Sequence, residues 1–143
     1  MRTLIILAFL LLPHSALATD ATGRVFLDSN KNGLLDAGER GIAGVRVSNG
    51  LDVVTTNDEG RYTLPVDEQS IIFITKPRDY AIPVNAHMLP QFYYIHQPAG
   101  SPTGMRYDGI APTGPLPEQI NFPLIERQES AQSVSYTHLT LPT

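Results

Sequence analysis

The sequence predicts an all-β sandwich, on three observations. Short runs of β-branched and aromatic residues recur between turn signals, and several of these runs alternate apolar and polar residues. Beyond the N-terminal leader, no window has the 3.6-residue period of an amphipathic helix. The six predicted strands are residues 23–27, 45–48, 53–56, 62–66, 71–75 and 121–126.

The patterns of the individual runs predict how each strand is buried. Residues 45–48 and 62–66 alternate apolar and polar side chains, so each should bury one face. Residues 71–74 form a continuous apolar run and should be the most buried strand. Asn49-Gly50 and Asp58-Glu59-Gly60 are typical of hairpin turns.

The second half of the chain has a different composition. Nine of the 12 prolines lie between Pro77 and Pro123. Because proline removes a ladder donor, residues 77–120 cannot be mostly central strand. The aromatic cluster Phe92-Tyr93-Tyr94 favours a buried face over disorder. We expect a long ordered Pro-rich excursion, or a linker, before the last strand. A loop this long is usually functional or covers a partner surface.

Length and composition limit the function. The chain has 143 residues, 10 Lys+Arg against 14 Asp+Glu, a formal net charge of −4 and no cysteine. This length fits one domain, and the acidic balance argues against a nucleic-acid partner. The lack of cysteine excludes disulfides, zinc ribbons and thiol nucleophiles.

The N-terminus reads as a signal peptide over residues 1–18. Arg2 precedes an apolar run over residues 4–12, and Ala16-Leu17-Ala18 is a typical cleavage site. The run is shorter than the roughly 20 residues that span a bilayer, so no transmembrane segment is expected in the mature chain. The alternative is a buried N-terminal helix. The prediction is export to the periplasm or the cell exterior.

The amino-acid composition of the C-terminus changes after Gln132. Residues 133–143 are rich in Thr and Leu and carry no charge apart from a possible proton on His138. They resemble translated adapter sequence, so we expect an artefactual tail and a natural protein that continues past residue 132. The alternative is a genuine apolar tail. The expected domain covers residues 19–132.

One segment carries a strong chemical motif. Residues 28–39 fit the 12-residue calcium loop D-x-[DN]-x-[DN]-G-x5-E at every defined place. Calcium takes six to eight oxygen ligands, and Gly33 permits the sharp turn that brings them together. The candidate ligands are the side chains of Asp28, Asn30, Asn32, Asp36 and Glu39 and the backbone carbonyl of Leu34.

The flanks of the loop read as strands rather than the helices of an EF-hand. We therefore expect an EF-hand-like calcium loop inside a β-domain. The alternative is a polar connection whose side chains only cap its own backbone. Asp58, in a neighbouring turn, is a weaker candidate for a further oxygen ligand.

Two stretches resemble known families. Residues 23–45 and 55–62, which read GRVFLDSNKNG…DAGERGIAGV and TTNDEGRY, resemble the SdrD B-type (Cna-B-like) module. Residues 92–102, FYYIHQPAGSP, resemble a signature of the N-terminal domain of secreted calcineurin-like metallophosphoesterases. The resemblance implies an Ig-like or prealbumin-like β-sandwich. It also implies a partner, namely a downstream catalytic domain of the same protein that binds two divalent metals.

The chain itself is expected to carry no catalytic residue. The family's metal-binding patterns, Asp-x-His, Gly-Asp, Gly-Asn-His-Asp/Glu and Gly-His-x-His, do not occur in this sequence. The isolated histidines His87 and His96 cannot build a two-metal site. The function implied is a non-catalytic N-terminal domain of an exported phosphoesterase. The alternative is a free-standing calcium-binding surface or adhesion module.

Overall fold

A computed structural model describes residues 19–100 and 111–127, which form eight strands and no helix. The predicted signal peptide and the predicted tail lie outside the described residues. The strands are β1 (Thr19–Leu27), β2 (Arg46–Ser48), β3 (Val53–Thr55), β4 (Arg61–Val66), β5 (Ser70–Ile74), β6 (Tyr80–Ala81), β7 (Tyr93–His96) and β8 (Phe122–Glu126). Within these two ranges, no helix is long and apolar enough to cross a membrane.

The strands form two four-stranded sheets. Sheet 1 has the order β4-β1-β8-β6, in which β1 and β8 are parallel and the other pairs antiparallel. Sheet 2 has the order β3-β2-β5-β7 and is antiparallel throughout. Buried side chains of both sheets form one core, including Val25, Leu64 and Leu124 from sheet 1 and Val47 and Ile72 from sheet 2. The prediction of an all-β sandwich is confirmed.

Burial along the strands follows the predicted alternation in β4 but not in β5. Along β4, Tyr62, Leu64 and Val66 are buried while the residues between them are exposed. In β5, Ile72 and Ile74 are buried but Ile71 is 52% exposed. The prediction that residues 71–74 form the most buried strand is therefore wrong. The reason is that the sandwich covers only the inner face of β5.

The two predicted hairpin turns have different outcomes. Asn49-Gly50 lies in the turn that joins the antiparallel strands β2 and β3, as predicted. Residues 58–60 do form a turn, in which the Asn57 carbonyl accepts from the Gly60 N–H at 2.8 Å. This turn joins β3 of sheet 2 to β4 of sheet 1, so it is a connection between sheets and not a hairpin. Local turn chemistry does not specify the partner of the strand that follows.

All six predicted strands are present, and the structure adds two. β6 and β7 both lie within the Pro-rich segment 77–120, and each occupies the edge of a sheet. An edge strand needs ladder donors on one side only, so neighbouring prolines are tolerated there. β1 begins four residues earlier than predicted, at Thr19, because its first residues pair with the end of β4. Residues 101–110 of the Pro-rich segment lie outside the described residues.

Tyr62 links the core to the segment before β8, and its burial is expected to make the free energy of unfolding decrease at alkaline pH. Its hydroxyl donates to the Ile120 carbonyl at 2.7 Å, and burial raises the pKa of Tyr62. An ionised Tyr62 is disfavoured in the folded state, so its contribution to stability is present below about pH 10 and is lost as the pH rises further.

We expect Tyr62→Phe to cost about 1–2 kcal/mol at pH 7, because the buried Ile120 carbonyl loses its donor. The drop in melting temperature from pH 7 to pH 10.5 should be smaller in this variant than in the parent. Tyr93→Phe, at a residue that is 37% exposed, is the control and should keep the parental fall. An equal fall in the parent and Tyr62→Phe would contradict the prediction.

Candidate metal centre

The predicted calcium loop, residues 28–39, connects the end of β1 to Gly41 and is fixed at both ends. At its start, the Asp28 N–H donates to the Leu124 carbonyl of β8 at 2.8 Å. Just beyond its end, the Arg40 carbonyl accepts from the Leu27 N–H at 2.9 Å, and Gly41 bridges back to Phe26. The loop therefore closes on the β1–β8 pair of sheet 1, with strands rather than helices on both sides.

Asp28 and Glu39, the first and last candidate ligands, hold the loop backbone. Asp28 is only 2% exposed, and its carboxylate accepts from the N–H groups of Asn32 at 3.1 Å and Gly33 at 2.8 Å. The Glu39 carboxylate accepts from the N–H groups of Ser29 at 2.9 Å and Asp36 at 3.1 Å. The two carboxylates thus curl the loop from opposite ends.

Three of the four middle ligand residues, Asn30, Asn32 and Asp36, meet through their side chains at one oxygen atom. The side-chain amides of Asn30 and Asn32 both donate to Oδ2 of Asp36, each at 2.7 Å. The structure therefore brings the two predicted amide ligands and the predicted carboxylate ligand into direct contact. The amide nitrogens make this contact, while the amide oxygens of Asn30 and Asn32 accept from the N–H groups of Asn32 at 3.1 Å and Leu34 at 2.7 Å. Calcium takes amide and carboxylate oxygens as ligands.

The backbone of the loop adopts the sharp turn that the motif requires. Gly33 has a φ of 76°, and Lys31 has a φ of 61°, which is uncommon for a residue with a side chain. Leu34 is 66% exposed, and because its side chain has no oxygen, its backbone carbonyl is its only candidate ligand atom. The side-chain amide of Gln91 lies against Gly33. Gln91 is a contact that the sequence does not indicate, because it lies in the distant connection between β6 and β7.

The loop carries a net negative charge, and its candidate ligand atoms are both carboxylate and neutral amide oxygens. The loop has three carboxylates (Asp28, Asp36 and Glu39) and one cation (Lys31), so its formal charge is negative. Among residues 19–100 and 111–127, no group of three or more His, Asp or Glu side chains is arranged to hold a metal ion. A site here would therefore depend on the amide oxygens and the Leu34 carbonyl as well as on the carboxylates.

The other residues singled out in the sequence lie apart from the loop. Asp58 is exposed in the turn between β3 and β4, and no hydrogen bond links it to residues 28–39. His87 is exposed in the connection between β6 and β7. His96 is buried at the end of β7, where its Nδ1 atom has no hydrogen-bond partner among the described residues. Hydrogen bonds within the loop link the six predicted ligand residues to one another, with Leu34 joined through its N–H, and none of these bonds reaches the other three residues.

A cavity of about 240 Å³ separates the start of the loop from the end of β8. Its lining includes Asp28 and Lys31 from the loop and Ile125 and Glu126 from β8. Arg40 pairs with Glu126 across a distance of 3.8 Å, with both side chains largely exposed. Because exposed ion pairs contribute little, the backbone bonds to β1 and β8 are what hold the loop in place.

A family model that describes the N-terminal region of calcineurin-like phosphoesterases matches residues 29–109. The match covers more than half of the chain. The chain belongs to this family. A comparison with curated proteins found no match. The matched residues begin inside the predicted calcium loop and include all four strands of sheet 2 together with β4 and β6 of sheet 1, whereas β1 and β8 lie outside the match.

Proposed function

We propose that this chain is the non-catalytic N-terminal β-sandwich of an exported calcineurin-like metallophosphoesterase. The observation that carries the proposal is the family match over residues 29–109. Phosphoester hydrolysis is assigned to a catalytic domain of the same protein, which would hold the divalent metals. The export signal predicted over residues 1–18 supports placing the protein in the periplasm or outside the cell.

The fold suits the role of a rigid accessory domain. Its two sheets share one core, and the Pro-rich segment supplies an edge strand to each of them. We assign the Pro-rich segment to contact with the catalytic domain, because a long connection of this kind is usually functional. The match gives no support to a free-standing adhesion module.

The proposal predicts that phosphoester hydrolysis requires the catalytic domain and that this chain alone has none. The 143-residue chain should not hydrolyse a chromogenic phosphoester with manganese or zinc added, because its sequence holds none of the metal-binding patterns of a two-metal site. The longer protein that includes the catalytic domain should hydrolyse it under the same conditions. Turnover by the chain, purified free of contaminating phosphatase, would overturn the non-catalytic assignment. A genomic reading frame without a phosphoesterase domain would overturn the proposed function altogether.

We also propose that residues 28–39 bind calcium through Asp28, Asn30, Asn32, Asp36 and Glu39 and the carbonyl of Leu34. The contact of two amide side chains with Asp36 and the curl maintained by Asp28 and Glu39 support this proposal. Two neutral amides among the ligands favour the weak affinity of extracellular calcium modules, about 10⁻⁴–10⁻³ M. Bound calcium would stabilise a small domain that has no disulfide.

A further inference from the structure

The outer face of sheet 2 carries an apolar surface that the sandwich leaves uncovered. Strand registers place Val53, Ser48, Phe73 and Tyr93 side by side in one row across the four strands. Ile71 and Ile95 form a second pair beside this row. We call the apolar members the open face, and they are Val53, Ile71, Phe73, Tyr93 and Ile95.

The inner residues of the same strands confirm the direction of the open face. Val47, Ile72 and Ile74 belong to the buried core, and Val54 and Tyr94 pack against it. Because side chains alternate along a strand, the residues between them point outward. The open face is therefore the opposite side of sheet 2 from the core.

Three of the five members of the open face are exposed and two are half-buried. Val53 is 62% exposed and Ile71 is 52% exposed, while Phe73 and Ile95 are half-buried. Ser48 does not interrupt the row with a hydrated group, since it is buried and its hydroxyl donates to the Asp52 carbonyl at 2.8 Å. The largest apolar patch of a monomer, typically about 300–600 Å², is often a functional surface.

The outer face of sheet 1 offers a contrast within the same molecule. Along β4, the outward residues are Arg61, Thr63 and Pro65, and the alternation of exposed and buried residues is regular. That strand has the pattern of a sheet with one wet face. In β5 the four residues 71–74 are all apolar, which is the pattern of a strand buried on both faces. The sandwich buries one face of β5, so the sequence of β5 requires a cover for the other.

We propose that the open face is the docking surface for the catalytic domain of the same protein, an inference that rests on the proposed function. The patch amounts to roughly a few hundred Å². A free protein–protein interface needs about 800 Å² from each partner, which these five side chains do not supply. A tethered domain is held at an effective concentration of about millimolar, so a smaller patch is enough.

The charges around the open face define the chemistry of the partner surface. Arg46 is exposed, lies opposite Thr55 and points to the same side as the open face. The outward residues of the four strands of sheet 2 include no carboxylate. The catalytic domain therefore presents an apolar patch, with a carboxylate opposite Arg46.

Single-cysteine labelling tests the proposal, because the chain has no cysteine of its own. Val53→Cys and Ile71→Cys report on the open face, and Thr63→Cys on the exposed face of β4 is the matched control. Each variant is made in the 143-residue chain and in the longer protein that includes the phosphoesterase domain. Labelled peptides are quantified by mass spectrometry, and the melting temperature of each variant confirms that it is folded.

Val53→Cys and Ile71→Cys should label at least fivefold more slowly in the longer protein than in the chain, while Thr63→Cys should label at the same rate in both. Equal rates at all three sites would overturn the docking surface, and so would protection of Thr63→Cys alone. Sedimentation showing a dimer of the chain that Ile71→Lys dissolves would assign the open face to a second copy and overturn the proposal. A longer reading frame without a phosphoesterase domain would instead refute the proposed function.

Discussion

Calcium at 10 mM is expected to raise the melting temperature of the chain by roughly 6–20 °C. A ligand that binds only the folded state stabilises it in proportion to the logarithm of its concentration relative to Kd. With a Kd of about 10⁻⁴–10⁻³ M, 10 mM calcium contributes about 1.4–2.7 kcal/mol. For a domain of this size, each kcal/mol shifts the midpoint by roughly 4–8 °C. Differential scanning calorimetry with and without calcium measures the shift.

Two substitutions at positions joined by a hydrogen bond, Glu39 and Ser29, separate loss of a ligand from other effects on stability. Glu39→Ala removes the carboxylate whose oxygens accept from Ser29 and Asp36, so it should abolish the calcium-dependent shift and also lower the melting temperature without calcium. Ser29→Ala should leave the shift intact, because Ser29 takes part in the loop through its backbone N–H. The comparison is between shifts within each variant, so a lower starting stability does not affect it.

Magnesium provides a control for general ionic effects. It demands a smaller octahedral site and gives up its water reluctantly, so the same concentration should shift the midpoint far less. The calcium proposal fails if the parent chain shows no shift at 10 mM calcium. It also fails if Glu39→Ala shows the parental shift.

The turn geometry of residues 28–39 was more predictable than the sheet arrangement, and the reason is chain distance. All six proposed ligand residues lie within residues 28–39, and turn chemistry over such a short segment depends on local sequence. The contacts that hold the loop come from far away, namely Leu124 at the start of the loop and Gln91 beside Gly33. No local pattern at either residue indicates that role.

The strands show the same division between local and distant determinants. β4 was predictable because its alternation has only one interpretation, a strand with one buried face. β6 and β7 were missed because they are two and four residues long and lie among prolines. β5 was correctly placed but its burial was not, because an apolar run shows that a face needs cover and not which molecule provides it.

The segment that follows the calcium loop crosses the turn between β3 and β4. The two backbones pass each other at Gly41 and Gly60. A Cβ on Gly41 would collide with the backbone of Glu59 and Gly60, although Gly41 does not have a positive φ. The Val25 backbone is bonded on both sides of this crossing, to the Gly60 carbonyl at 2.8 Å and to the Ile42 N–H at 2.9 Å. A side chain at residue 41 would therefore separate β1 from the segments that flank it.

Gly41→Ala is expected to destabilise the chain by about 3 kcal/mol, because backbone atoms cannot rotate away as a side chain can. Gly44→Ala is the matched control three residues later, where φ is 75° and a Cβ would meet nothing within 4 Å. That substitution has only the conformational cost of a left-handed residue, about 1 kcal/mol. Urea unfolding of both variants measures the difference. Equal losses would mean that the crossing relaxes to admit a methyl group, and that close backbone approach is not what requires glycine at residue 41.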